Sequence, residues 1–378
     1  MSDKKKTIVN EWVDVDRIID SHPECSWILI WGQRSNGKTY GTVERPMREG
    51  KRFAYIRRYD NEITRKEIND LISPHDIVKL TNGKYNDYEY KTGKFKYVLR
   101  SEDGKIIQEA PKDFGMTFSL NTWERYKGAD RGQFDYIIFD EFMSDRELTD
   151  EWECFQQMLW TLLRNRTNTK IIMLANSFSP YSLYFSELLI QDEVEKMKQG
   201  ETILKEFGET KILAYYCPPS SVTKGVTNKF FDFNKIKKKE NMAETGSWRI
   251  GNYPHCTIPY VNKPMPDGDV IQYMYIDYKN HFMQLAMVVT QNSDFFIHAH
   301  FCKDIPWYAE IVFSETLLMD FGYKRFQNTR QFEFTYKNTR LIEIWEECIV
   351  MGRVFFSTNM EGEFFHKWYD NQKYNHIL

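Results

Sequence analysis

Apolar runs and helical patterns follow one another through the first half of the chain. The run at residues 26–31 is apolar almost throughout, as in a strand buried on both faces, and a helical pattern opens at Lys38. The alternation continues, and it predicts further strands at residues 53–56, 134–139 and 170–175 and helices at residues 64–71 and 151–163. This order is typical of an α/β domain with a parallel sheet flanked by helices.

The pattern changes twice farther along the chain. Residues 78–107 are polar, rich in Tyr and punctuated by Gly, which predicts a β-hairpin insertion. Periodicity weakens over residues 186–263, which include the lysine run at 235–240, and we interpret them as a linker or lid. Strand-like segments at 270–277, 283–290 and 295–300, and a helical pattern at 341–351, then predict a small α/β domain. The predicted domains are therefore residues 1–185, 186–263 and 264–378.

Length and composition agree with a globular protein of more than one domain. The 378 residues exceed one ordinary core, and 42% hydrophobic with 28% charged residues show no bias toward disorder. With 51 Lys and Arg against 54 Asp and Glu, the net charge is -3, which excludes a protein that coats DNA with a uniformly basic surface. Any contact with nucleic acid is then expected from a few local loops.

Cysteine use and hydropathy bear on the compartment. The six cysteines are far apart and form no C-x-x-C pair, so we expect neither a zinc site nor a disulfide framework, as in a reduced cytoplasm. The first residues carry no apolar signal region, and no stretch is long and apolar enough for a membrane helix. A soluble protein without membrane contact is therefore predicted.

The strongest motif joins the first strand to the first long helix. Residues 32–39 match G-x-x-x-x-G-K-[ST] at every fixed position and lie between an apolar strand and a helix. Such a loop wraps backbone N–H groups around phosphate, the lysine reaches the terminal phosphate oxygens, and the hydroxyl ligates Mg²⁺. The candidate nucleotide-binding residues are Gly32, Gln33, Arg34, Ser35, Asn36, Gly37, Lys38, Thr39, Tyr40 and Asn176.

A second motif ends the strand at residues 134–139. Asp140 follows the apolar run and is expected, with Thr39, to hold the Mg²⁺ ion. Glu141 comes next and is placed to polarise an attacking water as a catalytic residue, beside the catalytic Lys38. Acids often terminate strands, so this motif gains its meaning only together with the glycine-rich loop.

Three polar residues at two other element ends are weaker candidates. Asn176 ends the strand next to that of Asp140, where it is suited to sense the terminal phosphate or simply to begin a turn. Arg164 and Arg166 follow a helix, and either is suited to reach a neighbouring subunit's nucleotide or to stabilise a helix C-terminus.

Five residues carry alternatives that the sequence leaves open. Arg57 and Arg58 end a strand and are suited to contact phosphate, a neighbouring subunit or a surface carboxylate. His298 and His300 share one face of a strand, but no third ligand is near in sequence, so a structural role is favoured over a metal site. Asp277 is a lone acid where a nuclease would need a metal-binding group, and one acid makes no two-metal site.

The order of these motifs resembles that of the DNA-packaging ATPases of small podophages of the Picovirinae type, within the superfamily that includes FtsK- and HerA-type translocases. The resemblance is good from residue 25 to about residue 185 and thinner beyond. The segments that carry it are residues 32–39, Tyr55–Tyr59, Ile138–Phe142, Leu163–Arg166 and Ala175–Asn176.

The resemblance implies a fold and an assembly. It implies a P-loop NTPase domain of the additional-strand, catalytic-glutamate (ASCE) class, a linker or lid, and a C-terminal RNase H-like domain that is a vestigial nuclease. It also implies a homopentameric ring at the portal vertex of an empty prohead in the host cytoplasm, docked through a packaging RNA. Arg164 matches the trans-acting finger, with Arg166 as second choice, and Asn176 matches the sensor. Asp60 stands where family members carry a lysine, so no role passes to it.

The resulting hypothesis is a motor that hydrolyses ATP with Mg²⁺ to move double-stranded DNA into a prohead, with its C-terminal domain binding DNA or packaging RNA without cutting. One alternative is a helicase, or a phage assembly or export ATPase, built on the same catalytic machinery. Another is a scaffold that binds nucleotide only in order to assemble. Replacing Glu141 separates the scaffold from the others, because a scaffold does not need turnover.

Overall fold

The structure is a computed structural model that describes residues 12–126, 133–144, 147–164, 166–177, 179–220, 248, 250–255, 270–290, 293–314 and 324–374. The chain divides into two compact units. The first takes in the described residues of Met1–Ser144, Leu148–Pro180 and Glu187–Arg249, and the second those of Asp145–Glu147, Tyr181–Ser186 and Ile250–Leu378. Each unit contains its own sheet.

The first unit is a mixed α/β structure around a sheet in which parallel pairing predominates. In space the described strands follow the order β3-β4-β6-β2-β7-β8-β1-β10-β9, and β5 pairs with β4. The six adjacent strands β6-β2-β7-β8-β1-β10 pair in parallel. The strands on either side of them, β4 and β9, are antiparallel to their neighbours. The strands are β1 Trp27–Gly32, β2 Phe53–Arg57, β3 Asp87–Lys91, β4 Lys94–Arg100, β5 Ile106–Glu109, β6 Gly115–Ser119, β7 Tyr136–Asp140, β8 Lys170–Asn176, β9 Thr202–Phe207 and β10 Thr210–Tyr216.

Helices and short turns connect these strands. The central parallel strands are buried along nearly their whole length, which explains their continuous apolar sequences. The helices of this unit are α1 Val15–Ser21, α2 Lys38–Arg48, α3 Arg65–Ile72, α4 Ile77–Leu80, α5 Glu151–Leu163 and α7 Gln191–Lys196, whereas α6 Leu183–Glu187 belongs to the second unit up to Ser186. No described helix of either unit is long and apolar enough to cross a bilayer.

Most predicted elements of this unit are confirmed, and α5 has the predicted ends. The hairpin insertion predicted at residues 78–107 contains β3, β4 and the start of β5, which continues to Glu109. The boundary at residue 185 needs correction, because residues 202–216 form β9 and β10 of this sheet instead of a linker. β10 pairs with β1 and is buried, and its apolar residues 212–217 were the signal for a core strand. The lysine run at 235–240 and the predicted boundary at 264 lie outside the described residues.

The second unit has a six-stranded sheet in its described part, with the spatial order β15-β14-β11-β12-β13-β16. β11, β12 and β13 form an antiparallel meander, whereas β14 joins β11 in parallel and β15 joins β14 in parallel. Helices pack on its aromatic core, for example Trp345 and Trp368 around Phe313. The elements are β11 Val270–Tyr278, β12 His281–Val289, β13 Phe295–Cys302, β14 Ile311–Ser314, β15 Lys324–Phe326, α8 Thr329–Thr335, α9 Arg340–Val350, β16 Val354–Phe356 and α10 Asn359–Tyr374.

Candidate functional site

The glycine-rich loop runs from the end of β1 into the start of α2. Gly37 is the residue before the helix and has φ of 88°, a left-handed conformation that suits glycine. A Cβ on Gly32 would lie 2.7 Å from the Cβ of Cys217, the residue that follows β10. Only glycine therefore fits at position 32. The two fixed glycines of the motif are therefore required by backbone geometry and by a close approach.

Hydrogen bonds from three other segments hold this loop in place. Ser177 N donates to Gly32 O at 2.9 Å, and Val13 N donates to Asn36 O at 2.8 Å. Ser220 N donates to the side-chain oxygen of the buried Gln33 at 2.7 Å. The loop is thus fixed before any ligand binds, a condition for tight anion binding by backbone N–H groups.

Lys38 is buried inside the curve of the loop. Its Nζ donates to Gln33 O at 2.7 Å and to Asn36 Oδ1 at 2.9 Å. Burial lowers the pKa of this ammonium, and in the described part of the chain no carboxylate makes an ion pair with it. A buried cation whose hydrogen-bond acceptors are neutral oxygens fits a bound phosphate, whose charge would compensate its own.

Asp140 lies at the end of β7 and contacts the first turn of α2. Thr39 Oγ1 is 3.2 Å from Asp140 Oδ2, and Tyr55 OH donates to the same oxygen at 2.8 Å. Burial raises the pKa of the Asp140 carboxyl, while the Arg57 guanidinium, 3.8 Å away, opposes that shift. A buried carboxylate beside a hydroxyl presents the oxygen ligands that Mg²⁺ prefers.

The next residue, Glu141, leaves β7 in an unusual conformation. Its φ is 62°, and its N–H donates to Asp140 Oδ1 at 3.1 Å. The side chain is 48% exposed, and Arg57 Nη2 donates to its Oε2 at 2.8 Å. A left-handed backbone in a residue other than glycine stores strain that the surroundings must hold. Glu141 is therefore an exposed acid directly beside the buried one.

Arg58 holds the backbone at Glu141 and Phe142, directly after β7. Its Nε and Nη2 donate to the two oxygens of Glu151 at 2.8 Å each, and both side chains are almost fully buried. Further donors reach Glu141 O at 3.0 Å and Phe142 O at 2.7 Å. The surface ion pair and phosphate contact considered for Arg58 are therefore wrong, because its guanidinium is enclosed within the protein.

The intervening strand β8 places Asn176 next to the loop. β8 lies between β7 and β1, and Asn176 is in register with Gly32. The Asp140 strand and the loop strand are thus separated by one strand that has its own polar end residue. Sequence order alone had placed Asn176 only at the tip of a strand beside the Asp140 strand.

Arg164 and Arg166 lie where α5 ends. α5 begins at Glu151, close to Glu141, and its 13 residues span about 20 Å. Arg164 is exposed at the end of the helix, and its Nε donates to Thr161 O at 3.2 Å. Arg166 pairs with Asp135, before the first residue of β7, at 3.0 Å. Both arginines therefore lie far from Asp140 and Glu141 of their own chain.

The other candidates are dispersed. Arg34 and Ser35 are exposed on the outer side of the loop, and Tyr40 is 43% exposed on α2. In the second unit, the His298 and His300 rings stack at 5.4 Å. The described residues hold no group of three or more His, Cys, Asp or Glu side chains suited to a metal ion. This is compatible with Mg²⁺, which takes one or two protein oxygens and completes its shell with water and phosphate.

Sequence reasoning missed Tyr55 and Glu151 as members of the site. Tyr55 lies on β2 beside β7, and its ring points its hydroxyl at Asp140. Glu151 had been predicted only as the first residue of a helix. No local pattern identifies either residue, because each acts on a partner that is distant in sequence.

Comparison with known proteins gives a consistent result. The profile of the family described as podovirus DNA encapsidation protein (Gp16) matches residues 16–210. A DNA packaging protein of Bacillus phage B103 is 27% identical in an alignment of 194 residues that covers 48% of this chain and 54% of that protein. The chain therefore spans about half the length of this relative.

Two solved structures have a similar fold. One is described as the Phi-28 gp11 DNA packaging motor; it has a TM-score of 0.57, 15% identity, and coverage of 98% of this chain and 100% of that one. The other is described as the bacteriophage Phi-29 viral genome packaging motor assembly, with a TM-score of 0.53, 16% identity, and coverage of 95% and 100%. At such identities the likeness concerns the fold alone. Because the family profile matches more than half of its residues, the chain belongs to the podovirus DNA encapsidation protein (Gp16) family.

Proposed function

We propose that this protein is the ATPase of a viral DNA-packaging motor and that it hydrolyses ATP with Mg²⁺ to drive double-stranded DNA into an empty prohead. The observation that carries the proposal is the contact between Thr39 and Asp140 beside the buried Lys38, in a chain of this family. The names of the phage relatives, which are packaging proteins, support the choice of DNA packaging over other motor functions.

The fold supports a P-loop NTPase of the ASCE class. Members of that class have one strand between the loop strand and the strand with the acids, and β8 occupies this position between β1 and β7. Residues 32–39 would enclose the phosphates, and Lys38 would neutralise charge on the terminal phosphate. Asn176, in register with Gly32, is suited to sense that phosphate.

Asp140 and Glu141 would have different roles in hydrolysis. Thr39 and Asp140 would ligate Mg²⁺, which when bound supplies positive charge to the phosphate oxygens. Glu141 would polarise the attacking water and accept its proton while the bond to the terminal phosphorus forms and the bond to the leaving diphosphate breaks. The partial exposure of Glu141, in contrast to the burial of Asp140, suits a group that must meet water.

Arg164 would complete the site of a neighbouring subunit. It lies at the end of α5 that is remote from its own Glu141, so a role in its own site is excluded by distance. Its exposure suits a finger that stabilises charge on the transferring phosphoryl group in trans. We infer a homo-oligomeric ring, expected to be a pentamer, at the portal vertex in the host cytoplasm. Arg166, which is paired with Asp135, is the weaker choice.

The second unit would be an RNase H-like domain that binds DNA or packaging RNA without cutting it. The strand order β13-β12-β11-β14-β15, with three antiparallel strands followed by two parallel ones, is that of the RNase H fold and supports this assignment. Asp277 of β11 is in register with Ser314 of β14, whose hydroxyl donates to it at 3.2 Å. A hydroxyl where a nuclease needs a second acid supports the loss of two-metal cleavage.

The test combines purified protein, empty proheads, packaging RNA, ATP and linear duplex DNA. Wild-type protein should render the DNA resistant to added nuclease, whereas Glu141→Gln should bind ATP but neither hydrolyse it nor protect DNA. Protection by Glu141→Gln would indicate a scaffold. Strand separation by the wild type without protection would indicate a helicase.

The trans role of Arg164 has its own test. Arg164→Ala and Glu141→Gln are each expected to abolish turnover when alone. Mixed in equal amounts, they should recover part of it, because some interfaces then pair an intact Glu141 with an intact Arg164. Mixtures that form rings but stay inactive would contradict the assignment.

A further inference from the structure

A pocket opens beside the glycine-rich loop, on the side of the start of α2. Its volume is about 580 Å³, and it lies between the segment before α1 and the first two turns of α2. The lining residues are Trp12, Val13, Asp14, Val15, Asp16, Gly37, Tyr40, Gly41 and Glu44. Because Gly37 belongs to both the pocket and the loop, a molecule bound by the loop can extend directly into the pocket.

The chain before α1 is attached to the loop at this point. Val13 N donates to Asn36 O at 2.8 Å. A Cβ on Gly37 would lie 3.1 Å from the Trp12 ring, so the glycine lets the indole approach the loop closely. Trp12 nevertheless remains 55% exposed, which leaves much of its ring available to a ligand.

Tyr40 supplies a second aromatic surface whose orientation is fixed. Its ring stacks on the His75 ring at 4.3 Å between centroids and 19° between planes. His75 is buried, and burial lowers its pKa, so the stacked partner is a neutral imidazole at neutral pH. Tyr40 OH also donates to Glu44 at 3.2 Å. The ring is therefore held from one side and at its hydroxyl, while 43% of the residue stays exposed.

The charges of the lining indicate which part of a ligand would enter. Asp14, Asp16 and Glu44 line the pocket, and among the described residues no Lys or Arg lines it. Their carboxylates are engaged, since Asp14 accepts from Arg17 N and Asp16 pairs with Arg45. An acidic pocket with two aromatic faces repels phosphate groups and accepts a flat, uncharged ring.

Tyr40 directly follows Thr39, the last residue of the loop, and it lines the pocket together with Gly37 of the loop. A nucleotide whose phosphates are held by the loop would therefore have room for its sugar and base toward this pocket. We propose that the pocket binds the base of the nucleotide and selects a purine by stacking on Trp12 and Tyr40. This rests on the proposed nucleotide site and adds the part of the substrate that the motif residues do not recognise.

The test compares ADP with pyrophosphate, which has the same two phosphates but no base, by calorimetric titration in Mg²⁺. In Trp12→Ala and Tyr40→Ala, ADP should bind about tenfold or more weakly, which is the scale of one lost stacking contact. Pyrophosphate should bind as it does to the wild type. Trp12→Phe and Tyr40→Phe keep a ring and should recover most of the ADP affinity. Trp160→Ala, which removes another exposed indole, should change neither affinity.

The outcomes separate this inference from the proposed function. Wild-type protein that binds neither ADP nor pyrophosphate would refute the nucleotide site itself. If ADP and pyrophosphate weaken together in the alanine variants, or neither weakens, the site stands and the base pocket is overturned. Wild-type protein should also bind GDP about as well as ADP and more tightly than CDP, and equal affinity for CDP would overturn purine selection.

Discussion

The buried pair of Arg58 and Glu151 offers a test of how the catalytic end of β7 is held. Replacing Arg58 by Met, or Glu151 by Leu, removes one charge and leaves its partner enclosed. The Glu151 side chain is fully buried and also accepts from Leu148 N at 2.7 Å, while Arg58 also donates to the carbonyls of Glu141 and Phe142. Either single change removes one member of a buried ion pair and leaves the charge of the other inside the first unit.

The expected magnitude follows from that geometry. Removing one partner of a buried ion pair destabilises by about 3–5 kcal/mol, because the remaining charge stays desolvated. The double variant Arg58→Met/Glu151→Leu leaves neither charge, and its main loss is that of the hydrogen bonds to the two carbonyls, about 1–3 kcal/mol each. The double variant should therefore be destabilised by about 2–6 kcal/mol, clearly less than the sum of about 6–10 kcal/mol for the two single variants.

The assay should read the first unit alone, since a chain with two compact units need not unfold in one step. Native-state hydrogen exchange of the β2 and β7 amides does so. Each single variant should lower protection there by about two to three orders of magnitude, since about 1.4 kcal/mol is a factor of ten. Lys96→Ala, which breaks a partly exposed pair with Glu109, should cost about 1 kcal/mol or less. Strictly additive losses in the double variant would refute the reasoning.

Three further results are expected. Gly32→Ala should lower ATP turnover by about a hundredfold, because its Cβ would displace the loop from β10, whereas Gly104→Ala, whose Cβ meets open space, should leave turnover unchanged. Burial lowers the pKa of His298 to about 4, whereas a histidine of the unfolded chain has a pKa of about 6.5. As pH falls from about 6.5 to 4, the unfolded chain therefore takes up the proton first and the second unit loses stability. His298→Gln should flatten that decline in thermal melts. Wild-type protein and Asp277→Asn should both leave DNA uncut in Mg²⁺ or Mn²⁺, since Ser314 stands beside Asp277; cleavage lost only in the variant would contradict this.

The parts of the site that lie together in sequence were predictable. The loop from Gly32 to Thr39 depends on local requirements, a glycine at positive φ and a helix start, and a fixed spacing expresses them. Asp140 and Glu141 follow an apolar strand, and α5 begins and ends where its pattern does. In each case the conformation is determined by interactions among residues that are close in sequence, so the sequence pattern predicts it directly.

Other parts depend on pairing between distant segments and left no readable pattern. β6 is buried between β2 and β4, yet no element was predicted for its sequence GMTFS. Arg58 had three open alternatives, and its actual partner is 93 residues away. For β10, by contrast, the apolar run was present, but periodicity is weak in the residues around it, and the whole segment was therefore interpreted as a linker.

Arg57, the last residue of β2, and Arg58, which follows it, show how such distant contacts determine the chemistry. Successive side chains of an extended chain point to opposite sides, so Arg57 and Arg58 extend in different directions. Arg57 reaches the carboxylate of Glu141 and Arg58 reaches its carbonyl, so both the side chain and the backbone of one residue are held from the neighbouring strand. The left-handed backbone at Glu141 costs about 1–3 kcal/mol, and the buried bonds of Arg58 offset that strain. Loosening Arg58 should therefore release the strain at Glu141 and misplace its carboxylate, although Arg58 itself contacts no substrate.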